Sequence, residues 1–305
     1  MNFRFIVRVP ATSANLGPGF DCLGLALDLW NQVTISLGEK GFQVDIQGYG
    51  SQSLARDERN LVVRAILNFY QAIQREPPSG LSILCENHIP DSSGLGSSAA
   101  AVLAGLLAAN TLEGEVLLDA EILQLAYQME GHGDNVAAAL LGGLVVTVDT
   151  GQGLETRRYE PFPYKIAVVI PRIDFPTAAA RAALPEVVAL KDAIFNLGRT
   201  PLVVEGLRTG DLNLLRKVME DRLHEPFRLR LIPGAQQALQ RARQTGAVAA
   251  ALSGAGPALI AFTLDEAEDV GQVMKQAFLD WGRIEAVILS LKPTCLGAQV
   301  SHLTP

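Results

Sequence analysis

Four short stretches of this chain bring glycines and reactive side chains together at spacings that can do chemistry. The first is Pro90-Asp91-Ser92-Ser93-Gly94-Leu95-Gly96-Ser97-Ser98-Ala99-Ala100. It lies between an apolar segment, Leu81 to Cys85, that reads as a strand and an Ala-rich run, Ala99 to Ala109, that reads as a buried helix. The first turn of a helix has unpaired N–H groups and a partial positive charge, so a Gly/Ser loop placed there suits an anion. Gly94 and Gly96 permit positive φ and close approach of the backbone. The hydroxyls of Ser97 and Ser98 can bond phosphate oxygens or ligate Mg²⁺. The loop has no Lys, which separates it from the G-x-x-x-x-G-K-[ST] phosphate loop. Ser98 and Ala99 stand where the dinucleotide fingerprint has its third glycine. Taken alone, the stretch reads equally as an ordinary turn with a serine cap.

The second stretch, Pro10 to Asp21, is rich in turn residues and carries Asn15 and Asp21, which can reach a polar ligand or simply bond their own backbone. The third, Glu130-Gly131-His132-Gly133-Asp134-Asn135, packs four polar side chains into six residues. A carboxylate there can take Mg²⁺ through oxygen, and Asp134 can accept a hydroxyl proton. With one His and no Cys, zinc is poorly served. The stretch reads otherwise as a capped helix terminus. The fourth, Ser253-Gly254-Ala255-Gly256-Pro257, is a hairpin turn by itself, or a second wall over the same phosphates.

Strands are expected at Phe3 to Val9, Gln32 to Leu37, Phe42 to Gly48 and Leu144 to Thr150. Helices are expected at Asn60 to Arg75 and Ala120 to Glu130, and a polar hairpin-like stretch at 151–160. Pro161-Phe162-Pro163 suggests a domain boundary, giving 1–160 and 161–305. Beyond it, Ile166 to Ile170, Ala247 to Leu252, Ala258 to Thr263 and Glu285 to Leu291, the last of the chain, read as strands. Pro176 to Leu184, Leu190 to Thr209, Asp211 to Met219, Pro233 to Thr245 and Leu264 to Gly282 read as helices. Strands and helices alternate irregularly, which argues for an α+β fold with antiparallel pairing rather than a doubly wound sheet.

A length of 305 residues suits two domains, each able to bury a core. The formal net charge of −7 opposes a broad nucleic-acid surface but not a local nucleotide site. Cys22, Cys85 and Cys295 are scattered, without C-x-x-C, as in a reduced chain free of disulfides and zinc clusters. The N-terminus is too short and too charged for a signal peptide, and no apolar run approaches the ~20 residues that span a bilayer. A cytoplasmic protein is expected.

In their order and spacing the four stretches resemble the GHMP kinase superfamily. That family's phosphate loop, P-x-x-x-G-L-G-S-S-A, matches Pro90 to Ala99, and its C-terminal glycine motif matches Ser253 to Pro257. Within it the chain is similar to the homoserine kinases, through Pro10 to Asp21, Glu130 to Val136, Thr177 to Pro185 and Asp221 to Arg228. The resemblance covers essentially the whole chain. It implies a mixed α/β nucleotide-binding N-terminal domain and a ferredoxin-like C-terminal α/β sandwich. It implies ATP and Mg²⁺ acting on the side-chain hydroxyl of L-homoserine, in threonine biosynthesis, with neither nucleic acid nor membrane as partner; a homodimer is compatible with it.

The same resemblance distributes roles. Pro90 to Ala100 and Ser253, Gly254 and Gly256 would face the nucleotide, and Asn60 its adenine edge. Ser98 and Glu130 would ligate Mg²⁺. Arg181 and Arg228 would take the acceptor's carboxylate, because a guanidinium is a planar fork. Asp21 and Asn15 would take its ammonium, with His132, Asn135 and Thr177 completing the pocket. Asn15, Asp134 and Asn135 would stand at the reacting hydroxyl. Homoserine kinases are held to work without a dedicated base, so Asp134 is expected to organise its loop more than to abstract a proton. The chain departs from their pattern at Gly133 and Ala138, where Pro is usual. Two rival readings are a mevalonate-type kinase, whose acceptor has no ammonium for Asp21, and a non-catalytic nucleotide sensor, which would not need Ser98 and Glu130.

Overall fold

The computed structural model describes residues 4–302. The N-terminal part contains β1 (Arg4–Ala14), β2 (Leu23–Leu37), β3 (Gly41–Gly48), α1 (Leu61–Ala72), β4 (Gly80–Asn87), α2 (Ser97–Leu112), α3 (Asp119–Glu130), α4 (Asp134–Leu141), β5 (Leu144–Asp149) and β6 (Leu154–Tyr159). Antiparallel β1 and β2 form the spine of its sheet. β2 pairs with β4 through its second half and with β5 through Leu23–Leu25, and β3 runs parallel to β4.

Two elements exceed their sequence expectations. The strand expected at Phe3 to Val9 has its first residue, Phe3, outside the described residues, and it runs on through Ala14. Proline has no N–H for a ladder, but the register shifts between Pro10 and Ala11, and the irregularity absorbs the missing donor. Residues 10–14, expected in a loop, are therefore strand. β2 begins at Leu23 rather than Gln32, because α4 and β1 bury residues 23–27. α2 is apolar on every side, and burial from Ala99 to Thr111 explains why.

The remaining elements are β7 (Lys165–Pro171), α5 (Thr177–Ala182), α6 (Leu190–Thr209), α7 (Leu212–Val218), α8 (Glu225–Arg228), α9 (Ala235–Gln244), β8 (Ala249–Leu252), β9 (Leu259–Thr263), α10 (Ala267–Ala277), β10 (Ala286–Leu291) and β11 (Gln299–His302). The second sheet has the antiparallel order β10-β7-β9-β8. With α9 and α10 as its crossovers, this is a ferredoxin-like βαββαβ unit, and α5 to α8 are inserted in its first connection. α9 buries Ala235, Ala238, Leu239 and Ala242, one stripe at helical spacing, and α10 buries Ala267, Val270, Gly271 and Met274.

Strands β7, β8 and β9 of the second sheet are buried on both faces. Ala167, Val169, Leu259 and Ala261 face the core shared with α9 and α10. Ile166, Val168, Ile260 and Phe262 alternate with them and join the large core of the first sheet, together with Val203, Leu207 and Leu215 of α6 and α7. That shared core sets the turn after β8 against the turn before α2. The chain also crosses back: Pro293 bridges Leu27, and β11, not foreseen from the sequence, pairs antiparallel with β1.

Candidate active site

The loops that meet here are tied by backbone bonds between distant segments. Thr12 N donates to Leu95 O (3.0 Å), Ala258 N to Ser93 O (3.0 Å) and Gly254 N to Ala14 O (3.1 Å). The Ser253 hydroxyl donates to Gly94 O at 2.8 Å and lies 2.9 Å from the Ser13 hydroxyl. Asn15 Nδ2 donates to Gly254 O at 2.7 Å. A Cβ at Gly94, where φ is +86°, would sit 2.3 Å from Ser253 O, so the two glycine turns can touch only without a side chain there. A cleft of about 160 Å³ opens where these loops converge.

One end of the cleft is built by the start of α2. Gly96, with φ of +70°, precedes the helix and offers no side-chain cap. A Cβ on it would lie 2.1 Å from Thr12 Oγ1. The first-turn amides thus meet no capping side-chain oxygen, which is the arrangement that receives an anion. Ser98 Oγ donates to Glu130 Oε1 at 2.6 Å, so the last residue of α3 meets the first turn of α2. A hydroxyl and a carboxylate together suit a hard cation that brings phosphate oxygens and water with it. Among the described residues no cluster of three or more His, Cys, Asp or Glu could enclose a metal by itself.

The other end is charged. Arg181, on α5, forms a fork on Asp21 at 3.2 and 3.3 Å, and both side chains are partly exposed. An exposed ion pair is worth at most about 1 kcal/mol, so a zwitterion with an ammonium and a carboxylate can part it cheaply. Arg228 is buried and reaches the same cleft from α8. Burial lowers its pKa from the ordinary guanidinium value.

The floor lies at the start of α4, a helix not foreseen from the sequence; only Gly131 to Gly133 separate it from α3. Asp134 is buried, and its Oδ1 accepts from Asn135 N (2.7 Å), Asn135 Nδ2 (3.2 Å) and His132 Nδ1 (3.1 Å). Thr12 Oγ1 donates to Asn135 Oδ1 at 2.8 Å. Burial works against a protonated His132, but the bond to Asp134 and the charges of Asp134 and Glu130 outweigh it and raise its pKa. At Gly133 a Cβ would stand 3.2 Å from both Leu154 methyls and 3.3 Å from the Thr147 methyl, so β5 and β6 pack tightly there.

The structure brings together Asn15, Asp21, Ser92, Ser93, Gly94, Gly96 and Ser97 to Ala99 with Glu130, His132, Asp134, Asn135, Thr177, Arg181, Arg228 and Gly254. Leu95, Ala100, Ser253, Gly256, Pro90 and Asp91 lie in or beside these loops without lining the cleft. Asn60 is not brought in: it caps α1, its Oδ1 accepting from Val62 N (2.9 Å) and its Nδ2 donating to Ala55 O (2.7 Å). Thr12 and His224 carry no role in the sequence reading, yet both bond site residues. A local signal for the second existed. Asp221 followed by Pro226 marks a helix start, and Asp221 Oδ2 accepts from the N–H of Leu223, His224 and Glu225 at 3.1, 2.8 and 2.7 Å.

Comparison with known proteins agrees with this geometry. Residues 60–143 match the GHMP kinases N terminal domain and residues 203–280 the GHMP kinases C terminal domain. The chain is 41% identical to the homoserine kinase of Moorella thermoacetica over 97% of its length and 99% of the relative's. It is 42% identical to that of Desulfitobacterium hafniense over 93% and 96%. The crystal structure of homoserine kinase from Cytophaga hutchinsonii superposes with a TM-score of 0.88 at 31% identity, covering 99% of this chain and 98% of that one. With likeness of this degree along its whole length, the chain belongs to the homoserine kinases of the GHMP kinase family.

Proposed function

We propose that this chain transfers the terminal phosphoryl group of ATP to the side-chain hydroxyl of L-homoserine, the step that yields O-phospho-L-homoserine in threonine biosynthesis. The observation that carries the reading is one cleft with two unlike ends. Uncapped amides, Ser98 and Glu130 lie at one end; Asp21, Arg181 and Arg228 lie at the other. The first end suits a polyphosphate and the second an amino-acid zwitterion.

Phosphoryl transfer needs positioning and charge stabilisation more than covalent help. In this reading the turn Ser92 to Ser98 holds the phosphates, and the Ser253–Gly256 turn closes against it. Ser98 and Glu130 hold Mg²⁺, which when bound neutralises charge on the phosphates. Asn60 stands at the adenine edge through the Nδ2 hydrogen that Ala55 does not use. Asp21 and Asn15 receive the ammonium, Arg181 and Arg228 the carboxylate, and His132, Asn135 and Thr177 fill the space between. Asp134 holds the floor in shape, because the bonds from Asn135 and His132 converge on its Oδ1. The test is ADP release with L-homoserine, mevalonate and galactose side by side. Homoserine-dependent turnover is expected. Turnover of mevalonate but not homoserine overturns the reading, and tight nucleotide binding without phosphorylation of any of the three favours a sensor.

A further inference from the structure

Beneath the acceptor end lies a buried group that this reaction does not use. His224 has no exposed surface, and its ring stacks on Phe20 with centroids 5.1 Å apart and planes 21° apart. Its Nε2 lies 2.9 Å from Gly17 O and its Nδ1 lies 3.3 Å from Arg228 Nη1. A carbonyl oxygen only accepts, and a guanidinium only donates. Nε2 must therefore carry a hydrogen and Nδ1 must be bare. A single form of the ring satisfies both partners: the neutral tautomer protonated on Nε2. Burial pushes the imidazole below its ordinary pKa despite the opposing charge of Asp221 and the bond to Gly17, which agrees with that form.

The consequence falls on Arg228. A guanidinium has five N–H groups in a rigid fork. Nε donates to Ala180 O at 3.3 Å, and Nη1 donates to His224 Nδ1 and Gly254 O, each at 3.3 Å. Among the described residues nothing accepts from Nη2, so its two N–H remain for a ligand in the cleft that Arg228 lines. Of the three acceptors, Ala180 and Gly254 contribute backbone carbonyls from separate segments, α5 and the turn after β8. His224 is the one side chain among them, and it is seated one helical turn from Arg228.

We propose that His224 is a positioning residue for the acceptor: as a neutral imidazole clamped between Gly17 O and Arg228 Nη1, it aims the free edge of the Arg228 guanidinium at the acceptor's carboxylate. This inference rests on the reading of the cleft given above. It requires an acceptor atom at the place of Nδ1 and a donor at the place of Nε2, and the first matters for substrate.

Steady-state kinetics of His224→Asn, His224→Gln and His224→Leu test it, with nucleotide binding measured by calorimetry. An Asn amide oxygen falls near the place of Nδ1, so His224→Asn keeps KM for L-homoserine within about threefold. A Gln amide falls near the place of Nε2, so His224→Gln strands Arg228 and raises that KM by about tenfold or more. His224→Leu does the same where it folds, and nucleotide affinity stays within about threefold in all. Combined with Arg228→Ala, His224→Gln adds nothing further, since both act through one side chain. Equal KM values for Asn and Gln, the reverse order, parallel loss of nucleotide affinity or full additivity with Arg228→Ala each overturn the inference. A wild-type chain that does not turn over homoserine instead overturns the functional reading on which it rests.

Discussion

Arg181 and Arg228 reach the same cleft from opposite surroundings. Arg181 stands on the short helix α5, half in solvent, and pairs with the equally exposed Asp21. Arg228 is 2% exposed, and three acceptors from three segments hold it. Around it are Asp221, His224 and Glu225, all buried. The exposed wall can open and close on a ligand at little energetic expense, because solvent screens its pair. The buried wall cannot move without leaving polar groups unpaired. The difference assigns recognition by opening to one side and recognition by fixed geometry to the other.

The most direct way to break this contrast is Arg228→Ala. It removes a hydrogen-bonded buried charge and strands its acceptors, and such losses run to about 2–5 kcal/mol. We expect kcat/KM for L-homoserine to fall on the order of 10²–10³-fold in steady-state assays, with nucleotide binding retained. Asp134→Asn addresses the floor between the walls. If Asp134 shapes its loop, kcat falls by roughly 10²-fold; a fall of about 10⁴-fold or more at unchanged KM would make it the general base.

Glu225 sharpens the energetic side. Its carboxyl is raised to about 7 by burial, against the bond it accepts from Leu252 N. The folded chain keeps that proton where the unfolded chain has released it. Glu225 therefore contributes fully at and below the ordinary carboxyl pKa and loses stability as pH rises from there to about 7, by roughly 3 kcal/mol. Glu225→Gln should flatten that slope in urea melts and be relatively more stable at pH 8 than at pH 4; an unchanged slope contradicts this. The smallest effect is expected on the exposed wall. Arg181→Ala should raise KM for L-homoserine roughly tenfold and lower stability by no more than about 1 kcal/mol. An effect as large as that of Arg228→Ala would erase the distinction between the walls.

Much of the phosphate end was legible because its determinants are local. The run Leu81 to Ala109 announces strand, glycine turn and buried helix in sequence, and β4 and α2 stand there. The elements of the second sheet were legible for a similar reason, since β7, α9, β8, β9, α10 and β10 each carry a local apolar pattern, while their ferredoxin-like order was implied by the family resemblance and agrees with it. Where the reading fell short, the cause was long-range. Pro10 reads as a strand end, yet the strand continues because β2 accommodates an irregularity opposite it. β11 is too short and too exposed to declare itself, and only pairing with β1 makes it a strand.

The site divides along the same line. Asp221 to Arg228 contains the acid that starts a helix, the proline that follows it and the arginine one turn beyond His224, all readable as spacing. That Arg228 is buried and that His224 must be neutral were decided by residues far away in the chain, Gly17, Phe20, Ala180 and Gly254, whereas Asn60 is held by near neighbours, Ala55 O and Val62 N, at the start of α1. By itself the sequence determined which backbone segments could be helix, strand or anion-binding turn, because those preferences arise between neighbours. Tertiary structure alone decided which charges lie buried and which lie in water, because burial depends on what the rest of the chain packs against them.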